Sequence, residues 1–241
     1  MKKVIYFLFI VILISCSKTN IQVNNEFMDE YRYPVDSLKN PKVFVYQQTD
    51  SLDKLSFFLG QMKVENGNKI YIYVKLNNDN SSKFRDSIVY YYRDKNLILK
   101  DRYTITRDPK TNIDKLVKYQ ILQYSDFSKK RVIKTENINP LNDSIININT
   151  ATSTFDKKST YKIFERNIEC LKMNEHLQFE VKHKHIPFIG KRVEMNSESI
   201  LAKGIGMVYY SINNKSLNQK YTYKLKEIIE YKTYLAKYKK D

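Results

Sequence analysis

Few residues in this chain have the type and spacing to do chemistry. His183 and His185 are separated by one residue. On a strand, side chains two apart share a face, so both imidazoles would point the same way. Two imidazoles suit zinc or copper, with His176 or Glu180 as a third ligand. The segment reads Lys182-His183-Lys184-His185, however, and the flanking lysines repel a cation. The sequence therefore assigns no metal ligand. It also carries no zinc-protease helix motif, paired-cysteine motif, nucleophile elbow or phosphate loop, and no catalytic residue or cofactor is assigned. Gly204 and Gly206 only superficially resemble a dinucleotide loop. The third glycine position holds Tyr209, and a strand-like run follows where a helix is required. A bulge or bend is the physical reading of this pair.

The chain has two cysteines, Cys16 and Cys170. Cys170 sits in the apolar-flanked run Ile168-Glu169-Cys170-Leu171 and reads as a buried structural thiol. Cys16 ends a different kind of segment. Lys2 and Lys3 precede an unbroken apolar run from Val4 to Ile14. As a helix, that run would span roughly 17 Å, too short for a hydrocarbon core of about 30 Å. A positive start, a short apolar centre and a small residue before the cut are features of an export signal. The ending Leu13-Ile14-Ser15-Cys16 resembles the lipobox of bacterial lipoproteins. That resemblance implies cleavage before Cys16 and attachment of diacylglycerol to its thiol. Two or more acyl chains give stable anchoring at about 0.8 kcal/mol per buried CH₂. The expected layout is a lipoprotein signal over 1–15, a lipidated tether over 16–40 and one β-rich domain over 41–241. Lipidation of Cys16 would leave Cys170 without an intramolecular partner, so no disulfide framework is expected.

The formal net charge of +16 invites a nucleic-acid reading. Of the basic residues, 34 are lysine and 8 arginine, whereas bidentate phosphate and guanine contacts favour arginine. The lysines are dispersed through strand-like segments, and an exported protein rarely meets nucleic acid. A solvated basic surface is expected, and no nucleic-acid partner.

From residue 42 the dominant signal is period two, the mark of strands. Ile70, Ile72, Val74 and Leu76 share one face; Lys69, Tyr71, Tyr73 and Lys75 share the other. Asn66-Gly67 supplies the positive φ angles of a tight hairpin between a strand over 55–64 and this one. Further strands are expected over 84–92, 97–105, 116–124, 130–135, 144–149, 161–165, 168–173, 177–185, 192–196, 199–212 and 220–229. Tyr90-Tyr91-Tyr92 and Tyr209-Tyr210 must turn alternate rings outward, where they could line a face for sugars or acyl chains. A short helix near Phe27–Tyr31 and a terminal one carried by Leu225, Ile228, Ile229, Leu235 and Tyr238 complete the pattern. The fold class is mainly β: an antiparallel meander forming a curved sheet or half-barrel, with a possible short helix at the carboxyl end.

The segment Ala202-Lys203-Gly204-Ile205-Gly206-Met207-Val208 resembles a hairpin found in Bacteroidota lipoproteins of unassigned function. The turn Asn213-Asn214-Lys215 and the strand Tyr221-Thr222-Tyr223-Lys224-Leu225 fill the places that follow it. Ile168–Lys172 and Lys42–Tyr46 resemble two earlier strands of that group. Ile200 and Leu201 stand where aromatics are usual, and the glycine often preceding the cysteine-containing strand is missing. The firm match covers about 45 residues at the carboxyl end. It implies a curved antiparallel sheet, as in periplasmic lipoprotein carriers, and no particular activity.

Together these readings predict a lipid-anchored, non-enzymatic envelope protein on the outer membrane, with the periplasmic side favoured. Its partners would be the membrane, through the lipid on Cys16, and envelope proteins or a lipid ligand. Two rivals stand beside it. A carrier of amphiphiles would need an apolar cavity of several hundred Å³. A hydrolase with dispersed carboxylates would need two of them about 5–10 Å apart in a cleft.

Overall fold

A computed structural model describes residues 20–76, 84–108, 111–127, 129–186, 190–214 and 218–239. The expected signal over 1–15, Cys16 and the start of the expected tether lie outside these residues.

The antiparallel meander runs through β2 (Lys42–Gln48), β3 (Ser51–Glu65), β4 (Asn68–Leu76), β5 (Phe84–Arg93), β6 (Asn96–Arg107) and β7 (Asp114–Phe127). It continues through β8 (Lys130–Asn139), β9 (Asn142–Ile163), β10 (Arg166–His183), β11 (Gly190–Ala202), β12 (Gly206–Asn214) and β13 (Gln219–Glu230). Each strand pairs with the next, and β13 pairs antiparallel with β2, Leu225 lying opposite Tyr46. The twelve strands therefore close into a ring, and the half-barrel expected from sequence becomes a complete barrel. Closure leaves the ring without a free edge to recruit another chain.

Local sequence sets the hairpins. Asn66 and Gly67 both have positive φ, as a two-residue turn of the primed type requires. Asp94-Lys95 and Phe164-Glu165 adopt the same left-handed pair without glycine. These turns, with the 203–205 turn, gather at one end of the barrel.

That end is filled by chain expected to be a tether. β1 (Asn20–Asn24) lies parallel to the end of β7, Asn20 opposite Gln123 and Asn24 opposite Phe127. β6 pairs with β7 only from Arg102↔Tyr119 to Arg107↔Asp114, so β1 fills the place where these strands part. Two 3-10 turns follow, Glu26–Tyr31 and Val35–Lys39. Met28, Tyr31, Val35 and Leu38 are buried. Met28 and Tyr31 pack on Leu171, Met173 and Leu201; Val35 and Leu38 pack on Met62. From residue 20 on, the expected tether is thus an internal plug, because four apolar anchors are set within its polar run.

Glycine makes room for the plug at two points. A Cβ on Gly60 would stand 3.1 Å from Phe44 and 3.5 Å from Leu38. Gly206 has φ +89°, and a Cβ there would stand 3.3 Å from the Tyr33 nitrogen.

Helix α1 (Tyr231–Tyr238) lies on the outer wall. Its Tyr234 ring meets Phe57 edge-on at 5.1 Å and closes an apolar cluster with Val43, Val45, Val74 and Leu76. The alternation seen in β4 is therefore real, but its faces are assigned by the barrel. Val74 and Leu76 point outward beneath α1, while Tyr71, Tyr73 and Lys75 point inward.

Candidate functional site

The inward side chains enclose a cavity of about 530 Å³. Its wall on β3, β4 and β5 is aromatic. Phe58 stacks on Tyr73 at 5.3 Å, Tyr73 lies 6.3 Å from Tyr71, and Tyr71 stacks on Tyr90 at 6.1 Å. Ile133, Ala151, Leu177 and Phe179 line the opposite strands. Met28, Tyr31 and Tyr33 of the plug form the floor. Rings in such offset arrangements gain about 0.5–1.5 kcal/mol per pair beyond area burial, so this wall is stiff. Of the tyrosine run expected to alternate, Tyr90 lines the cavity. Tyr92 turns to the plug, donating its hydroxyl proton to Asp29 Oδ1 at 2.9 Å. Tyr91 is flanked by the cations of Lys100 and Arg93, at 5.2 and 5.9 Å.

The tyrosines are held neutral. Burial, with help from neighbouring phenols, pushes Tyr46 and Tyr73 well above the ordinary phenol range. Burial raises Tyr71 and Tyr90 in the same direction. Tyr46 donates to the Met207 carbonyl at 2.7 Å, which fixes its ring at the cavity edge.

Charged groups also face the interior. Arg131 lies at hydrogen-bond distance from Ser153 Oγ (3.3 Å) and 3.7 Å from Glu175. Its side chain is 23% accessible, and it lines the cavity while the barrel wall encloses it. Burial works against its charge, but the Asp126 and Glu175 carboxylates outweigh that and hold it protonated. Lys75 and Arg102 line the cavity farther from the plug. Lys75 lies 5.8 Å over the Phe58 ring and Arg102 5.0 Å over Tyr119. Burial and the nearby Arg85 pull Lys75 below the ordinary lysine value; Asp86 works the other way.

The hairpin read as a family resemblance has a clear structural task. Gly204 N–H donates to the Glu30 carbonyl at 2.7 Å, and Lys203 pairs with the Glu30 carboxylate at 2.9 Å. Ile205, Gly206 and Met207 then line the cavity. The two glycines hold the plug and shape one wall, in place of any phosphate.

Other sequence candidates do not converge here. His176 sits between Asn196 and Gln178, each at 3.0 Å. β10 ends at His183, so His185 lies in a bend; the His185 N–H donates to His183 Nδ1 at 3.2 Å. Among the described residues no three His, Cys, Asp or Glu side chains group to hold a metal. Cys170 is buried, and burial raises its thiol. Two carboxylates line the cavity, Asp86 on β5 and Glu175 on β10, five strands apart round the ring. Glu175 accepts from the Ser153 hydroxyl at 2.8 Å in addition to facing Arg131. Sequence reasoning missed Lys75, Arg102 and Arg131 as interior groups. Lys75 and Arg131 share the inward parity of Tyr73 and Ile133, legible only once closure is known; Arg102 stands three residues from inward Leu99 and faces in because of the bulge at the Val89/Tyr90 step of the β5–β6 register.

No family model and no curated protein matches this chain. Among solved structures, a candidate lipoprotein from Parabacteroides distasonis is similar at 11% identity and TM-score 0.45, over 82% of this chain and 97% of that one. An exported protein with a YmcC-like fold from Bacteroides fragilis gives 11% identity and TM-score 0.36, over 79% and 96%. The hypothetical lipoprotein YmcC from Escherichia coli gives 11% and 0.28, over 80% and 88%. Likenesses this loose carry no functional argument.

Proposed function

We propose that this chain is a non-catalytic binding protein of the cell envelope, lipid-anchored through Cys16, whose barrel holds a small amphiphile. One observation carries the reading: a cavity of about 530 Å³ with an aromatic wall, floored by the chain's own amino-terminal segment. That volume lies within the range of about 300–1,000 Å³ typical of small-molecule sites. A barrel built only for stability would fill the space with side chains.

The outer wall supports a barrel standing in water. Lys118 pairs with Asp101 at 2.6 Å and Lys172 with Glu198 at 2.7 Å, on the outward parity of their strands. A lysine on a lipid-facing wall costs about 2–4 kcal/mol at the bilayer midplane. The membrane contact in this reading comes instead from the acyl chains on Cys16.

The test fills the cavity from within. Ala151 faces it between Ile133 on β8 and Leu177 on β10. Ala151→Trp should weaken binding of a polarity-sensitive fluorescent fatty-chain probe by about 10-fold or more, with the circular dichroism unchanged. Equal binding by both proteins would overturn the cavity reading. Cys16→Ser should move the protein from the membrane to the soluble fraction of its host, and unchanged partitioning would remove the anchor.

A further inference from the structure

The charged residues of the cavity are not all matched. Arg131 has Glu175 and Asp126 against it. Among the described residues, Asp86 is the carboxylate that the sheet register sets beside Lys75 and Arg102. Lys75 stands directly opposite Asp86 in the β4–β5 register, and Arg102 stands opposite Ile88, one inward position along from Asp86. Among the described residues neither Lys75 nor Arg102 has a carboxylate within ion-pair distance. The Arg102 Nε is buried without an acceptor, as is that of Arg131, whose charge Glu175 and Asp126 nevertheless face. Thr135 Oγ1 and Asn137 Oδ1 are likewise buried without partners, on the inward parity that Arg131 and Ile133 set for β8. Leaving such a group unmatched is costly, most of all for a charged one.

Position matters as much as charge. Tyr71, Tyr73 and Lys75 follow one another along β4, away from the plug. At the plug end the lining cations Arg32 and Arg131 are matched, by Asp29 and Asp126 and by Glu175, while the cations without a matching carboxylate among the described residues lie at the other end. We infer that the bound amphiphile carries an anionic head, a carboxylate or a phosphate, seated against Lys75 and Arg102, with its tail running along the Phe58–Tyr73–Tyr71–Tyr90 wall toward Met28. This rests on the cavity-binding reading above and names its ligand class. The depressed proton affinity of Lys75 agrees with a cation awaiting a counter-charge.

Four amphiphiles of one chain length separate the possibilities: dodecanoate, dodecyl phosphate, dodecanol and dodecyltrimethylammonium. Titrated into the wild-type protein below their micellar concentrations, the two anions should bind about 10-fold or more tighter than dodecanol. The cation should bind weakest. Arg102→Gln and Lys75→Met should each bring the ratio of anion to dodecanol affinity most of the way to one, with unchanged circular dichroism showing that the barrel is intact. The order of dodecanoate and dodecyl phosphate identifies the head. Equal binding of anion and alcohol, or an anion preference that survives both substitutions, would overturn the inference and leave the cavity reading standing. Failure of all four to bind would overturn both.

Discussion

The Arg32 guanidinium lies 3.8 Å from the Asp126 carboxylate, joining the plug to the strand beside which β1 is inserted. Asp126 is 2% exposed and also accepts from the Asn25 side chain and, at 3.4 Å, from Tyr124. One buried carboxylate thus gathers two groups of the entering segment and one of the wall.

Removing that carboxylate should loosen the plug. Asp126→Ala leaves Arg32 with Asp29 alone, at 4.0 Å, and takes a counter-charge from Arg131; breaking a buried pair on one side costs about 3–5 kcal/mol. Urea unfolding should show a loss of that order, with faster proteolysis within 20–40 than in the strands. A change under about 1 kcal/mol would mean that apolar packing alone seats the plug.

Tyr234 offers the opposite contrast on the outer wall. Its ring is buried against Phe57, yet its hydroxyl has no hydrogen-bond partner among the described residues. Tyr234→Ala should cost about 3–5 kcal/mol, as for other buried aromatics. Tyr234→Phe removes only an unmatched polar atom, so it should be neutral or gain up to about 1 kcal/mol. A loss of more than about 1 kcal/mol in the phenylalanine variant would reveal a partner for the hydroxyl.

Alkaline pH should unfold the barrel through its tyrosines. Burial and the Asp29 carboxylate raise Tyr92 to about 12, and burial with Tyr231 raises Tyr234 to about 12. Burial also pushes Tyr46 and Tyr73 well above the ordinary phenol range. An unfolded tyrosine titrates near 10, so the folded state keeps protons that the unfolded state releases. The resulting stability is fully present below pH 10 and is lost as pH rises from about 10 through 12. Phenolate absorbance and circular dichroism should therefore change together in that window. Full tyrosine titration near pH 10 with the fold intact would contradict the enclosure of these rings.

Much of the meander was legible in the sequence, for a specific reason. In β4 alternation is strong, and Asn66-Gly67 marks its hairpin with β3. The strands that resisted were β9 and β10, 22 and 18 residues long. Their middles are Asn, Thr, Ser and charged residues, which carry no apolar period, so each was read as two short pieces. The inward face was misjudged for a different reason. Period two separates two faces but does not say which is enclosed. A barrel with a cavity buries tyrosines inside, while α1 covers valines and leucines outside. Closure was also invisible, because β13 and β2 lie at opposite ends of the meander. The plug was hidden because Met28, Tyr31, Val35 and Leu38, although three, four and three residues apart as on one helix face, stand in a polar run broken at Pro34, where the chain makes two separate 3-10 turns. The candidate site inherited all three blind spots, since its cations are defined by which way they face.

The central claim is that the barrel is a container. Native mass spectrometry of the full chain, extracted from its host membrane in mild detergent, tests it most directly. The account predicts a non-covalent passenger of lipid-like mass on the wild-type protein, lost on collisional activation and missing from Ala151→Trp. Bare protein in both preparations, or a passenger retained equally by the filled variant, would contradict it.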